Sequence, residues 1–365
     1  MSPGTGPQPR SASPGHKPLL LKQPIMLRVV YALVPVLASG IYFFGWRVLA
    51  LVAFCTGVGF ATEYLTSRQR GSPVSMACFV TCGLYTLSLP PTMPFWMAAV
   101  GIVVAILFGK EAFGGFGRNF ANPAIVGRAF VYVCFPTAMT ASFVPALRGW
   151  PGGLGQWSFT ALARVPDYVA GVARTGVDAM TAASPMLALR DYGYTTGLWD
   201  LVLGTAGGTF ETPTSYGPRV LAAGSIGEGC APLIVLAGLY LMLTQTSNWR
   251  LTVSTVAGAL LAGFLIWVGG ARDALPLYFK LLTGAFLYVA VFMVTDPVSA
   301  PKRPGAMIAY GGLIGLLIIL ISWKSHFIAA ASFAVLLGNI VSPLLDMAAT
   351  AWRDRAKKAS QGAAG

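Results

Sequence analysis

The sequence predicts an all-α polytopic membrane protein of about ten transmembrane helices, arranged as two inverted five-helix halves. The first reason is charge. Only 10% of the 365 residues are charged, whereas a soluble domain carries about 25%. The second is how the apolar residues are grouped. Residues 307–323 read MIAYGGLIGLLIILISW without a single charge, and about 20 such residues cross ~30 Å of hydrocarbon as a helix. The third is the layout: five apolar runs, a long polar interval, then five more. An odd number of crossings per half inverts one half against the other, and sites often lie where such halves meet.

Residues 1–27 are Pro/Ser/Gly-rich, carry Arg10, His16, Lys17 and Lys22, and lack the apolar core and small-residue cleavage site of a signal peptide. They are expected to form a disordered cytoplasmic tail. The first half, 28–140, holds runs at 29–46, 48–66, 73–90, 94–110 and 122–140. Ser72-Pro73 and Asn122-Pro123 place a capping residue before a first-turn proline. The interval 141–227 is too long for a plain connector and is expected to be functional. The second half, 228–348, holds runs at 228–244, 251–270, 277–295, 306–323 and 326–346, and a basic tail, 349–365, follows.

Charge sets the expected orientation. With a cytoplasmic N-terminus, fifteen Lys and Arg residues fall on the cytoplasmic side: Arg10, Lys17, Lys22, Arg28, Arg68, Arg70, Lys110, Arg118, Arg250, Lys302, Arg303, Arg353, Arg355, Lys357 and Lys358. The short outer loops hold only Arg47, Arg272 and Lys324. That bias is the positive-inside pattern. It puts both termini in the cytoplasm and the 141–227 loop outside. The net charge of +13 is thereby explained without nucleic acid, for which a basic stripe with interleaved aromatics is missing.

The five cysteines form no C-x-x-C. Cys78 and Cys82 share a helix face, where small apolar packing is the expected role, and a four-cysteine iron–sulfur cluster is not expected. No metal ligand set stands out.

Within the outer loop, residues 176–186 read GVDAMTAASPM. Asp178, Thr181 and Ser184 fall three residues apart, just before Pro185. Alone, such residues are compatible with capping a helix. The pattern D-x-x-[S/T]-x-A-[T/S]-P, however, resembles the flavinylation motif of one family of bacterial membrane proteins. Its members are the B subunit of the sodium-translocating NADH:quinone reductase and the D subunit of the Rnf electron-transport complex.

Four further stretches carry the resemblance, in the order the family has them. They are GGFGRNFANPAIVGRAF (114–130), GSIGE (224–228), VTDPVSAP (294–301) and FAVLLGNIVSPLLD (333–346). The resemblance implies FMN held as a phosphoester on Ser184, installed from FAD by a flavin transferase on the outer side. Asp178 and Thr181 would then be recognition or orienting groups. Serine departs from the usual threonine but offers the same oxygen, without the methyl that stiffens χ1. The family also implies a non-covalent riboflavin, partner membrane and peripheral subunits, a quinone, and Na⁺ or H⁺ as the moved ion, in a bacterial inner membrane.

Arg128, Asn122, Glu228 and Asp296 are candidates for an ion or quinone path. Arg128 falls inside a span, where a buried arginine needs a partner or a wet cavity. Asp296-Pro297 interrupts the eighth run and would free carbonyls there. Gly114, Gly115 and Gly117 do not make a G-x-G-x-x-G fingerprint and read as a sharp turn. Three readings remain: an electron-relaying subunit of a redox-driven ion pump, not catalytic alone; a ten-span transporter or channel without covalent flavin; or an assembly scaffold without a cofactor of its own.

Overall fold

Each of the ten apolar runs contributes helix in the computed structural model, which describes residues 19–140, 143–147, 149–158, 184–210, 219–270, 276–282, 285–324 and 329–362. A short strand β1 (Leu20–Leu21) pairs in parallel with β2 (Val74–Ser75). The first half comprises α1 (Pro24–Phe44), α2 (Arg47–Gln69), α3 (Ala77–Leu87), α4 (Phe95–Gly109) and α5 (Pro123–Cys134), with a last turn α6 (Pro136–Thr140). Two short helices follow, α7 (Pro185–Tyr192) and α8 (Leu198–Leu203), then a hairpin of β3 (Gly208–Phe210) and β4 (Arg219–Leu221). The second half comprises α9 (Ala231–Leu243), α10 (Trp249–Val268), α11 (Leu277–Leu282), α12 (Phe286–Tyr288) running into a π turn (Val289–Met293), α13 (Pro304–Lys324) and α14 (Ala330–Gly362).

Among the described residues, six helices are long and apolar enough to cross a membrane. The runs at 73–90, 122–140, 228–244 and 277–295 instead form shorter or broken helices. The causes are local. Pro136 denies the helix its next N–H, so α5 ends at Cys134 after 12 residues. α3 has 11 residues, about 16 Å at 1.5 Å per residue, and Pro90-Pro91 block its extension. Backbone left non-helical at such depth must be satisfied by protein. It is: the carbonyls of Leu87 and Leu89 accept from Gly227 N at 2.6 Å and Ile226 N at 3.1 Å. The tail expected after 348 continues α14 as helix to Gly362.

The two halves pack in the same pattern. α2 lies on α4 and α4 on α5; correspondingly α10 lies on α13 and α13 on α14. Between halves, the first helices, α1 and α9, touch, and so do the last, α5 and α14. The short α3 meets the broken α12, where Tyr288 Oη donates to Leu84 O at 3.2 Å.

Small residues let α10 and α13 approach. A Cβ on Gly315 would run into Thr255 O, and one on Gly258 into Gly312 O. Between lipid-facing helices this close packing is the main attraction. Gly315→Val is therefore expected to lower stability by about 1–3 kcal/mol through overpacking. Thermal unfolding of the detergent-purified protein checks it, and an unchanged midpoint would remove this contact from the account.

The chain sorts its ends. At one, here called the basic end, α1 begins, α2 and α4 finish, α3 and α5 begin, and Asp346 accepts from the N–H groups of Lys302 and Arg303. At the other, the loop end, Trp46 N and Arg47 N donate to Gln156 O and Trp157 O, and Leu147 N to Phe43 O. The described parts of the 141–227 interval all lie against this loop end.

Candidate functional site

Ser184 precedes α7, and its carbonyl accepts from Ala188 N at 2.8 Å, closing the first helical turn. It holds the cap position and is half-buried, with Pro185 buried behind it. α7 is backed by a small satellite core of Ala188, Ala206, Phe210 and Leu221. Tyr194 stacks on Phe210 with centroids 4.8 Å apart. The hairpin therefore supports the helix that Ser184 begins. Ala146 N→Ala206 O and Ala223 N→Val144 O tie this unit to the spans. Asp178 and Thr181 lie outside the described residues.

A cavity open to one side lies between the halves. The first half contributes Thr81, Leu84, Asn119 and Asn122; the second contributes Phe292 and Asp296. Asn122 caps α5 by accepting from Ala124 N at 3.0 Å, and its Nδ2 reaches across to Met293 O at 3.4 Å. The π turn puts Phe292 and Thr295 on the cavity wall; such turns often mark functional sites. Asp296 sits in the connection after it, outside the spanning helices. Burial raises its carboxyl above the ordinary range, opposed by hydrogen bonds from Val298 N at 3.1 Å and Ser299 Oγ at 2.8 Å and by Lys302 nearby.

Arg128, expected to need a partner, has one: NH2 donates to Glu228 Oε1 at 3.1 Å, with both side chains 5% exposed. Glu228 Oε2 also accepts from Ser225 N at 3.2 Å. Of the four candidate path residues, the structure pairs Arg128 with Glu228 and brings Asn122 and Asp296 to one cavity. It does not bring the two sets into direct contact.

Sequence reading missed a third constellation. Lys110, expected as a loop cation, is 2% exposed and lies 2.6 Å from both Glu63 Oε2 and Ser75 Oγ. Ser75 N and Oγ donate to Glu63 Oε1 at 2.9 and 2.8 Å. The next residue, Glu111, pairs with Arg70. The available signal was the spacing: a lone acid near the end of one span and a lone base at the end of another. Cys55, Cys78 and Cys82 are buried free thiols, and no metal-holding cluster occurs among the described residues.

Broken helices meeting at the interface of two like-packed halves, with a cavity between them, define a multi-pass membrane protein of transporter-like build. The chain belongs to the NQR2, RnfD, RnfE family, whose model matches residues 16–352. It is 34% identical over 334 residues to the D subunit of the ion-translocating oxidoreductase complex of Aeromonas hydrophila, covering 89% of this chain and 92% of that protein. It is 31% identical over 336 residues to the protein of the same name in Shewanella amazonensis, at 88% and 90% coverage. It is also 31% identical over 297 residues to the B subunit of the Na⁺-translocating NADH-quinone reductase of Yersinia pestis, covering 79% of this chain and 63% of that protein.

Proposed function

We propose that the chain is the flavin-carrying membrane subunit of an ion-translocating oxidoreductase complex, with FMN esterified to Ser184 on the extracytoplasmic side of a bacterial inner membrane. The observation that carries this reading is the position of Ser184. It stands at the cap position of a helix at the loop end, opposite the basic end that the positive-inside pattern assigns to the cytoplasm. A flavin transferase would esterify that oxygen with the FMN part of FAD, releasing AMP and the hydroxyl proton. When bound, the flavin supplies one-electron transfer; the protein supplies position and electrostatics. Asp178 and Thr181 would orient the chain for the transferase. The other membrane and peripheral subunits of the complex, and a quinone, would be the electron partners.

The lining of the cavity between the halves would supply suitable groups for the second, non-covalent flavin that the family resemblance implies. The walls are apolar at Val80, Leu84 and Phe292, with amides at Asn119 and Asn122 to meet a polar ring edge. Asn122→Leu would remove both the amide and the cap. We expect it to reduce acid-extractable flavin in the purified complex while the flavin bound covalently to the chain is unchanged. Full retention of extractable flavin would place riboflavin elsewhere.

The test of the main reading is mass spectrometry of the peptide containing Ser184, from protein co-produced with a flavin transferase. An FMN-sized addition is expected. Its absence would leave a transporter without covalent flavin.

A further inference from the structure

We propose that Arg128 and Glu228 form a gate that seals the loop-end side of the cavity between the halves, so that a translocated cation communicates only with the basic end until the pair parts. The cavity is asymmetric. Its exposed lining residues, Phe116 (38% exposed) and Pro297, belong to connections at the basic end. Its deep wall toward the loop end, with Leu84 at 4%, is buried. Just beyond Leu84 a closed layer follows: Tyr288 Oη bonds Leu84 O, and Gly227 N bonds Leu87 O. The Arg128–Glu228 pair lies in that layer. Arg128 sits on α5 more than a turn past Asn122, and Glu228 is in the turn that precedes α9.

Three properties suit this pair to opening rather than to permanent fastening. Its members come from different halves, so any relative movement of the halves stretches it. Glu228 is fixed in its turn by the bond from Ser225 N, so the strain falls on the ion pair. Arg128 is only partly satisfied: Nε and NH1 are buried without a hydrogen-bond partner. Buried polar groups are rarely left so. A guanidinium with idle donors can exchange the Glu228 oxygen for another acceptor, such as water or a carbonyl, when the layer opens. A purely structural strut would be expected to use those donors.

The test reads sidedness rather than turnover. Thr81 lines the cavity, and Thr81→Cys in a background with Cys134→Ser and Cys230→Ser, which removes the thiols that are not buried, reports access to it. The assembled complex is labelled with a membrane-impermeant thiol reagent in right-side-out and inside-out vesicles. Labelling of the parent only from the basic end is expected. Arg128→Gln should lose that sidedness and label from both ends; Arg128→Lys, which retains the pair, should not. The exchange Arg128→Glu with Glu228→Arg should restore one-sided labelling. Unchanged sidedness in Arg128→Gln, or a parent labelled from both ends, would overturn the gate. So would an exchange variant that stays open or fails to assemble as the single variants do.

Discussion

Ser184→Ala is expected to yield a membrane-inserted chain that carries no covalent flavin, an all-or-none change visible as the loss of in-gel flavin fluorescence after denaturation. Alanine removes two things at once: the oxygen that would form the phosphoester and the side chain at the cap position before α7. Losing a cap costs about 0.5–2 kcal/mol, enough to disturb a helix of only 8 residues. Two companions separate the effects. Ser184→Asn caps a helix as well as serine does but offers no hydroxyl, and should also be unflavinylated. Ser184→Thr keeps the oxygen and should carry flavin. Covalent flavin in Ser184→Asn would move the attachment to another residue, with Thr181 the next hydroxyl upstream. A colourless Ser184→Thr chain would mean that the loop, rather than the oxygen, is what the transferase requires.

Much of the fold was legible because hydrocarbon imposes a simple rule: backbone polar groups must be satisfied within a helix. Each of the ten apolar runs contributes helix for that reason. What the rule does not reveal is where a helix stops within the membrane. That depends on which distant backbone fills the gap, as Gly227 does for Leu87 O, and no local window contains both. The same limit applies to the site. Arg128 announced a need for a partner by its charge in an apolar run, but the hundred residues separating it from Glu228 left the pairing open. Lys110 was misread because a lysine at a span end usually faces water. Here the turn at Gly114 and Gly115, both at positive φ, folds the chain back. The lysine remains inside, against Glu63. Ser184 is the opposite case: its neighbours in sequence, Ala183 and Pro185, carried the pattern, so it could be singled out without any contact.

The buried Lys110–Glu63–Ser75 set supports the second large effect. Lys110→Met is expected to destabilise the protein by about 3–5 kcal/mol, because removing one partner leaves the other charge buried and uncompensated. Glu63 would retain only the two donors of Ser75, and it is 1% exposed. The set fastens three helices: Glu63 on α2, Ser75 at the entry to α3 and Lys110 at the end of α4. β1 pairs beside Ser75, so the N-terminal strand would loosen with them. Heat-induced loss of the size-exclusion peak of the purified protein reads the change. The double variant Lys110→Met, Glu63→Gln should regain most of it, since a neutral amide replaces the uncompensated carboxylate and still accepts from Ser75. If the single variant were as stable as the parent, the pair would be contributing no more than a surface bridge. If the double variant recovered nothing, packing of the lysine stem rather than charge would hold the three helices together. Because Lys110 also borders the cavity, the double variant tests whether that wall needs a cation at all: a stable protein with reduced non-covalent flavin would assign the ammonium a role in binding beyond its role in the fold.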